Sequence, residues 1–240
     1  MHALRSPRYE AVLFDALGTL VRLEPPWPFL RTALATRGID VTEDEAREAM
    51  RAEMAYYIEH HPEGADADSL AELRQRCAGV MAEHLPPQAA AALAAQESIE
   101  VLLESLRFTP FPDAAPTLGR LRAADVRVAV VSNWDCSLAT VLGELGLAGL
   151  LDTVVTSAEA GARKPAPAIF EAALARLQSP PEAAILVGDS LDTDVAGGQA
   201  AGIRSVLLDR TGAAADNTGV ERIVTLDNVP ELMTVLPKIR

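Results

Sequence analysis

The second half of the chain alternates short, continuous apolar runs with segments whose apolar residues recur at helical spacing. Residues 126–131 form a β-branched run, and similar short runs follow at 184–187 and 205–208. Runs of this kind are typical of strands buried on both faces, and strands that alternate with helices favour a parallel sheet. Residues 12–14, near the start of the chain, have the same character. The sequence therefore predicts an α/β fold with a parallel sheet. Further strands are expected at 153–156 and 222–226, and a helix is expected at about 193–201.

Residues 22–107 have a different pattern, because they contain no convincing strand. Thr42 and Ser69 each begin a capping-box sequence, with glutamate three residues later, and apolar residues at helical spacing follow both. This block is predicted to be an all-helical cap subdomain inserted after the first strand. The predicted domains are then 1–21 with 108–240 for the core, and 22–107 for the cap.

Composition and charge exclude several classes of protein. Hydrophobic residues make up 49% of the 240 residues, which is enough for a sizeable core. The formal net charge of -13 argues against a general nucleic-acid binder, because such binding depends on lysine and arginine. The two cysteines are isolated, which favours a reducing compartment, and neither a signal peptide nor a membrane span is predicted. These features predict a cytoplasmic protein, and they leave its oligomeric state open.

Polar side chains follow the predicted strands at the points where those strands end. In a parallel sheet, ligands bind outside the carboxyl ends of the strands. Asp15 follows the first strand and is either a nucleophilic carboxylate or an ordinary turn aspartate. Ser132 and Asn133 follow the next core strand, where they either hold a substrate oxygen or cap the following helix. Each residue taken alone leaves both interpretations open.

Three charged residues lie further along the chain. Lys164 precedes a proline and either neutralises an anionic ligand or is a solvated surface lysine. Asp189 ends a strand, and Asp194 follows closely. Carboxylates grouped at one strand end repel each other unless a cation lies among them, and their hard oxygen atoms suit Mg²⁺. The alternative is that these acids stabilise the start of a helix through its dipole.

Taken in order, these stretches resemble the four motifs of the haloacid dehalogenase superfamily of hydrolases. The first motif corresponds to the stretch that starts at Asp15 and contains Gly18 and Thr19, and the second to Ser132. Lys164 resembles the third motif, and the pair Asp189 and Asp194 resembles the fourth. The helical insertion resembles the family's cap of the first type, so the likeness extends over essentially the whole chain.

The resemblance implies a Rossmann-like parallel-sheet core with an inserted all-helical cap subdomain. It also implies a magnesium-dependent phosphatase acting on a small phosphorylated molecule, with no nucleic-acid or membrane partner. Asp15 would attack phosphorus, and Ser132 and Lys164 would act with it as catalytic residues. Substrate would also contact Gly18, Thr19 and Asn133. Mg²⁺ would be bound by Asp15, the main-chain carbonyl of Leu17 and Asp189, with Asp194 supporting the site.

Leu17 departs from the family pattern. Phosphatases of the family usually have a second aspartate there, which protonates the leaving group and then activates water. Because leucine can do neither, turnover of ordinary phosphate monoesters is expected to be slow. Two alternatives remain open: a dehalogenase that acts on 2-haloacids, since halide leaves without a proton, and a catalytically weak phosphate-binding or regulatory protein.

Overall fold

The computed structural model describes residues 9–212 and 219–234. The chain divides into two compact units. The first consists of Met1–Arg22, Pro110–Asn133 and Leu138–Arg240, and the second of Leu23–Thr109 with Trp134–Ser137. The second unit begins one residue later and ends two residues later than the predicted cap, and it also includes Trp134–Ser137, so six residues that the sequence prediction placed in the core belong to it.

The strands and helices follow one another in the order expected for an α/β protein with an inserted helical block. The strands are β1 Ala11–Phe14, β2 Val21–Leu23, β3 Phe108–Pro110, β4 Arg127–Ser132, β5 Thr153–Thr156, β6 Ala184–Gly188, β7 Arg204–Leu208 and β8 Arg222–Ile223. The helices are α1 Pro26–Ala35, α2 Glu43–His60, α3 Ala67–Glu83, α4 Pro87–Ala92, α5 Ala95–Ser105, α6 Ala114–Ala123, α7 Leu138–Glu144, α8 Ser157–Ala160, α9 Pro167–Leu177, α10 Ala196–Ala200 and α11 Val229–Leu232.

Six strands of the first unit form one parallel sheet in the order β5-β4-β1-β6-β7-β8. The predicted parallel-sheet core is therefore confirmed. Strand β1 lies in the middle, where Val12 pairs with Val128 on one side and Ile185 on the other. All four residues of β1 are buried, as expected for a central strand covered on both faces. One face packs against α9 through an apolar cluster that includes Leu13 and Phe170.

Two predicted elements of the first unit differ from the structure. The predicted last strand, 222–226, is only two residues long, because Leu226–Asn228 turns into a 3₁₀-helix. The predicted helix at 193–201 is α10 preceded by a five-residue π-helix, Leu191–Val195. π-Helical turns of this kind are frequent at functional sites.

Helices α1 to α5 of the second unit pack around their own apolar core, which includes Leu30, Met50, Leu73 and Leu102. Thr42 caps α2 through the predicted capping box. The second prediction is wrong in register, because Asp66 and not Ser69 is the N-cap of α3. The carboxylate of Asp66 accepts from the N–H of Ser69, and the hydroxyl of Ser69, at the third helical position, accepts in return from the N–H of Asp66.

The prediction of no strand within residues 22–107 is wrong only at residues 22 and 23, which belong to β2, whereas β3 lies just beyond the predicted block. Strands β2 and β3 form a separate two-stranded sheet where the chain passes from one unit to the other and back.

In the part of the chain that the structure describes, no helix is long and apolar enough to cross a membrane.

Candidate active site

The predicted chemical groups of the first unit meet at one edge of the parallel sheet. Asp15 directly follows β1, Ser132 is the last residue of β4, and Asp189 directly follows β6. Because these three strands are neighbours and run in the same direction, their carboxyl ends deliver these side chains to the same place. Lys164 reaches it from the loop between α8 and α9.

Asp15 is held by two donors, although only 5% of its surface is exposed. The ammonium of Lys164 donates to Asp15 Oδ1 at 2.6 Å, and the hydroxyl of Ser132 donates to the same oxygen at 3.1 Å. Hydrogen bonds from charged donors of this length are among the strong ones. The pair fixes one carboxylate oxygen of Asp15 and leaves Oδ2 outside these two bonds.

Asp194 is almost completely buried and both of its carboxylate oxygens accept hydrogen bonds. Lys164 Nζ donates to Oδ1 at 2.6 Å, and the main-chain N–H of Ser190 donates to Oδ2 at 3.1 Å. The hydroxyl of Ser190 also caps the π-helix by accepting from the N–H of Thr193. The irregular turn therefore orients Asp194 toward Lys164.

The cluster has an excess of negative charge. Carboxylate oxygens of Asp15, Asp189 and Asp194 lie within 4.8 Å of one another, so three carboxylates face the single ammonium of Lys164. Asp189 lies on the exposed side of the cluster. Partial burial of its carboxylate, followed by the charges of Asp15 and Asp194, raises its pKa to about 6. Burial opposes the charge of Lys164, but Asp15 and Asp194 outweigh it and raise the pKa of the lysine. An excess of two negative charges among oxygen ligands fits a divalent metal ion.

Two glycines make room for these carboxylates. A Cβ atom on Gly18 would lie 2.1 Å from Asp189 Oδ2, and one on Gly188 would lie 2.3 Å from Asp194 Cγ. Gly18 also has a φ of +89°, a left-handed conformation that other residues adopt only under strain. The glycine of each motif is therefore required by the carboxylate packed against it.

The other predicted site residues have different surroundings. The side chain of Leu17 is 44% exposed, whereas Thr19 is fully buried. Within the described ranges the Thr19 hydroxyl makes no hydrogen bond, and its predicted contact with substrate stays a prediction. The amide of Asn133 binds the main chain of Lys164. The predicted main-chain ligand at Leu17 and the contacts of Gly18 with substrate likewise stay predictions.

Arg210 is a residue of this region that the sequence did not indicate. Its guanidinium makes two hydrogen bonds of 2.9 Å with Asp113, donates to the carbonyl of Thr19 at 2.8 Å, and stacks 3.8 Å from the ring centre of Phe111. A cleft of about 630 Å³ lies beside these groups and reaches Gly18 and Asp189. Asp113 and Arg210 lie far apart in the sequence, so no local pattern could have paired them.

Lysine is rare in this chain. The sequence contains only two lysines, Lys164 and Lys238, while the other basic residues are all arginine. Lys164 is only 5% exposed.

Comparison with known proteins identifies the family. Residues 9–202 match the haloacid dehalogenase-like hydrolase family. The chain belongs to this family. The order of the strands in the sheet agrees with the α/β fold that the sequence predicted.

Relatives of this haloacid dehalogenase-like hydrolase include both phosphatases and dehalogenases. It is 33% identical over 211 residues to a glyceraldehyde 3-phosphate phosphatase of Methanopyrus kandleri, covering 84% of each chain. A phosphatase structure from Thermococcus onnurineus is 27% identical, with 93% of this chain and 97% of that one covered and a TM-score of 0.66. A 2-haloacid dehalogenase from Pseudomonas syringae pv. tomato is 26% identical, with 94% and 98% covered and a TM-score of 0.66.

The extent of these matches differs among relatives. The first curated relatives, at 32% to 38% identity, match this chain over only about half of their own length. The activity and substrates of the whole protein are therefore matters of proposal.

Proposed function

We propose that this hydrolase is a phosphatase acting on a small phosphorylated molecule through an aspartyl-phosphate intermediate at Asp15. The observation that carries the proposal is the buried contact of Asp15 with Lys164 and Ser132 beside two further carboxylates. Relatives named as phosphatases, among them the one from Methanopyrus kandleri, support it. A substrate-selecting role for the helical second unit and a cytoplasmic location are parts of the same proposal.

The proposed reaction has two displacements at phosphorus. A carboxylate oxygen of Asp15 attacks, the bond from phosphorus to the leaving oxygen breaks, and the phosphoryl group becomes an acyl phosphate on Asp15. Water then attacks phosphorus, releasing inorganic phosphate and restoring the carboxylate. Lys164 and Ser132 bind oxygens of the transferred group, since phosphoryl transfer depends chiefly on positioning and charge stabilisation.

Mg²⁺ is the proposed cofactor. The residues that would hold it are Asp15, the main-chain carbonyl of Leu17 and Asp189, while Asp194 supports the site because Lys164 and Ser190 already occupy its oxygens. When bound, the ion would offset the negative charge that the phosphoryl group brings to three carboxylates.

Hydrolysis of p-nitrophenyl phosphate with and without Mg²⁺ tests the proposal. Metal-dependent release of p-nitrophenol is expected. A second candidate, dehalogenation, is favoured by Leu17 and by the similarity to the Pseudomonas syringae enzyme. Release of chloride from 2-chloropropionate without metal would establish that candidate instead. If neither substrate is turned over and Mg²⁺ still binds, a phosphate-binding or regulatory role takes the place of both.

Leu17→Asp is expected to raise turnover of substrates with poor leaving groups. Leucine supplies no proton, and general acid–base catalysis contributes about 10²–10⁴-fold. The ratio of kcat/KM for an alkyl phosphate to that for p-nitrophenyl phosphate should therefore increase. Because Leu17 is exposed, folding should tolerate the change. Leu17→Asn is the matched control, since it is polar but cannot act as the acid; an equal ratio in both variants would contradict the explanation.

Gly18→Ala is expected to weaken metal binding by about 10–100-fold, because the added methyl group displaces the Asp189 carboxylate. Calorimetric titration with Mg²⁺ measures the effect. Gly146→Ala is the control: Gly146 has a similar φ of +73°, but no atom lies within 4 Å of the added Cβ. Equal Mg²⁺ affinity in the two variants would show that Asp189 is not a ligand.

A further inference from the structure

The loop that carries Lys164 has few hydrogen-bonding groups of its own to fix it. Pro165 follows the lysine and has no N–H to donate. The N–H of Ala166 turns back to the carbonyl of Arg163 at 2.8 Å. The main-chain N–H and carbonyl of Lys164 itself therefore depend on a partner from elsewhere in the first unit.

The side chain of Asn133 is that partner for both the N–H and the carbonyl of Lys164. Its side-chain Oδ1 accepts from the N–H of Lys164 at 2.8 Å, and its Nδ2 donates to the carbonyl of Lys164 at 3.2 Å. The planar amide thus binds the lysine main chain as a neighbouring strand would. Asn133 directly follows Ser132 at the end of β4, so the same strand end holds Asp15 through Ser132 and the Lys164 loop through Asn133.

Fixing the main chain matters because of what the side chain must do. Lysine has a long, flexible side chain that loses rotamer freedom when it is held. The ammonium of Lys164 lies 2.6 Å from both Asp15 Oδ1 and Asp194 Oδ1, an arrangement that requires its Cα to stay in place. Displacement by about 1 Å can lower a rate about 10²-fold.

Asn133 is not needed for the capping role that the sequence left open. In the segment that follows, the carboxylate of Asp135 accepts from the N–H of Ser137 at 2.7 Å and supports the turn before α7. In contrast, the oxygen and one N–H of the Asn133 amide make hydrogen bonds with the main chain of Lys164.

We infer that Asn133 is a positioning residue, which acts on the reaction through Lys164 by clamping its main chain so that the ammonium bridges Asp15 and Asp194. The inference rests on the proposed function only in assuming that Lys164 acts during turnover. The clamp itself has a separate readout, because Lys164 and Lys238 are the only lysines in the chain.

Acetylation of the folded protein by acetic anhydride, followed by mass spectrometry, measures how well Lys164 is protected. Lys238 and the N-terminal amine supply internal reference signals. In Asn133→Ala the acetylation of Lys164 should increase several-fold, and kcat for p-nitrophenyl phosphate should fall about 10–100-fold with KM nearly unchanged. Asn228→Ala, a change elsewhere in the same unit, is the control and should behave as the wild type.

Asn133→Asp is the second variant, and it keeps nearly the same volume if the alanine variant fails to fold. It retains the acceptor for the N–H of Lys164 but sets a carboxylate oxygen against the lysine carbonyl, so intermediate labelling is expected. Raised KM with unchanged kcat and unchanged labelling would overturn the inference in favour of substrate binding. Unchanged labelling and kinetics in both variants would overturn it outright. If the wild type hydrolyses no phosphate ester, the labelling result still decides for or against the clamp.

Discussion

Replacement of Asp15 by asparagine is expected to abolish turnover while leaving the protein at least as stable as the wild type. The amide is not a nucleophile, so a loss of kcat on the order of 10⁴-fold or more is expected. Its oxygen can still accept from Lys164 and Ser132, which donate to Asp15 Oδ1 in the wild type. The site has two negative charges in excess, so removal of one carboxylate lowers repulsion, and Lys164 retains Asp194.

Denaturant unfolding in Mg²⁺-free buffer and steady-state kinetics measure these two effects. Asp192→Asn is the matched control, because Asp192 is an exposed carboxylate of the same segment and lies outside the cluster. That control should keep both activity and stability. If Asp15→Asn lost its activity only because it unfolds, with a lower free energy of unfolding that accounts for the lower kcat, Asp15 would have a structural role only.

The free energy of unfolding is expected to fall as the pH rises from about 4.5 to above 7 because of Glu53 in the second unit. Glu53 lies on the buried face of α2 with 4% of its surface exposed. Burial raises its pKa from 4.5 to about 7, and a hydrogen bond with Cys77 opposes the rise only partly. The folded protein therefore binds this proton more tightly than the unfolded chain does.

The direction follows from that difference in proton binding. The contribution of Glu53 is fully present below the unfolded pKa and is lost as the pH rises through the folded value of about 7. The full change corresponds to about 3 kcal/mol. Urea unfolding at a series of pH values measures it.

Glu53→Gln should remove the part of this pH dependence that Glu53 contributes, because its amide does not ionise, and should leave the change at lower pH that the raised pKa of Asp189 adds. Glu48→Gln, an exposed position on the same helix, is the control and should retain it. A wild-type profile that is flat between pH 5 and 8 would contradict the raised pKa of Glu53.

The sheet and the meeting of the charged groups could be predicted because both follow from the chain direction of parallel strands. Continuous apolar runs predicted which segments are strands. Since parallel strands present their carboxyl ends at one edge, Asp15, Ser132 and Asp189 were expected together before any contact was known. The direction of the strands does not predict which hydrogen bonds each group makes, because hydrogen-bond partners depend on side-chain geometry.

Local register in the second unit was harder to predict. Asp66, Ser69 and Glu72 all favour a helix start, and the acidic side chain three residues earlier than expected forms the actual cap. On α2, Ile58 continues the apolar spacing of the sequence but is 59% exposed, whereas Glu53 is buried. A buried glutamate looks polar in the sequence, so hydrophobic periodicity assigns it to the wrong face.

Contacts between distant residues of the site could not be predicted from the sequence. The residues of the clamp, Asn133 and Lys164, are 31 positions apart in the sequence, and Gly18 and Asp189, which pack together, are 171 positions apart. Neither contact leaves a local pattern. Asn133 in particular was expected to contact substrate, and only its geometry indicates the role inferred above.

Detection of the phosphoryl group on Asp15 is the most direct test of the proposed aspartyl-phosphate intermediate. The protein is mixed with p-nitrophenyl phosphate and Mg²⁺, quenched in acid during turnover, digested and analysed by mass spectrometry. One phosphoryl group is expected on the peptide that contains Asp15, and none in Asp15→Asn. A phosphoryl group on another residue, or turnover with no phosphorylated peptide in either protein after a rapid quench, would contradict it.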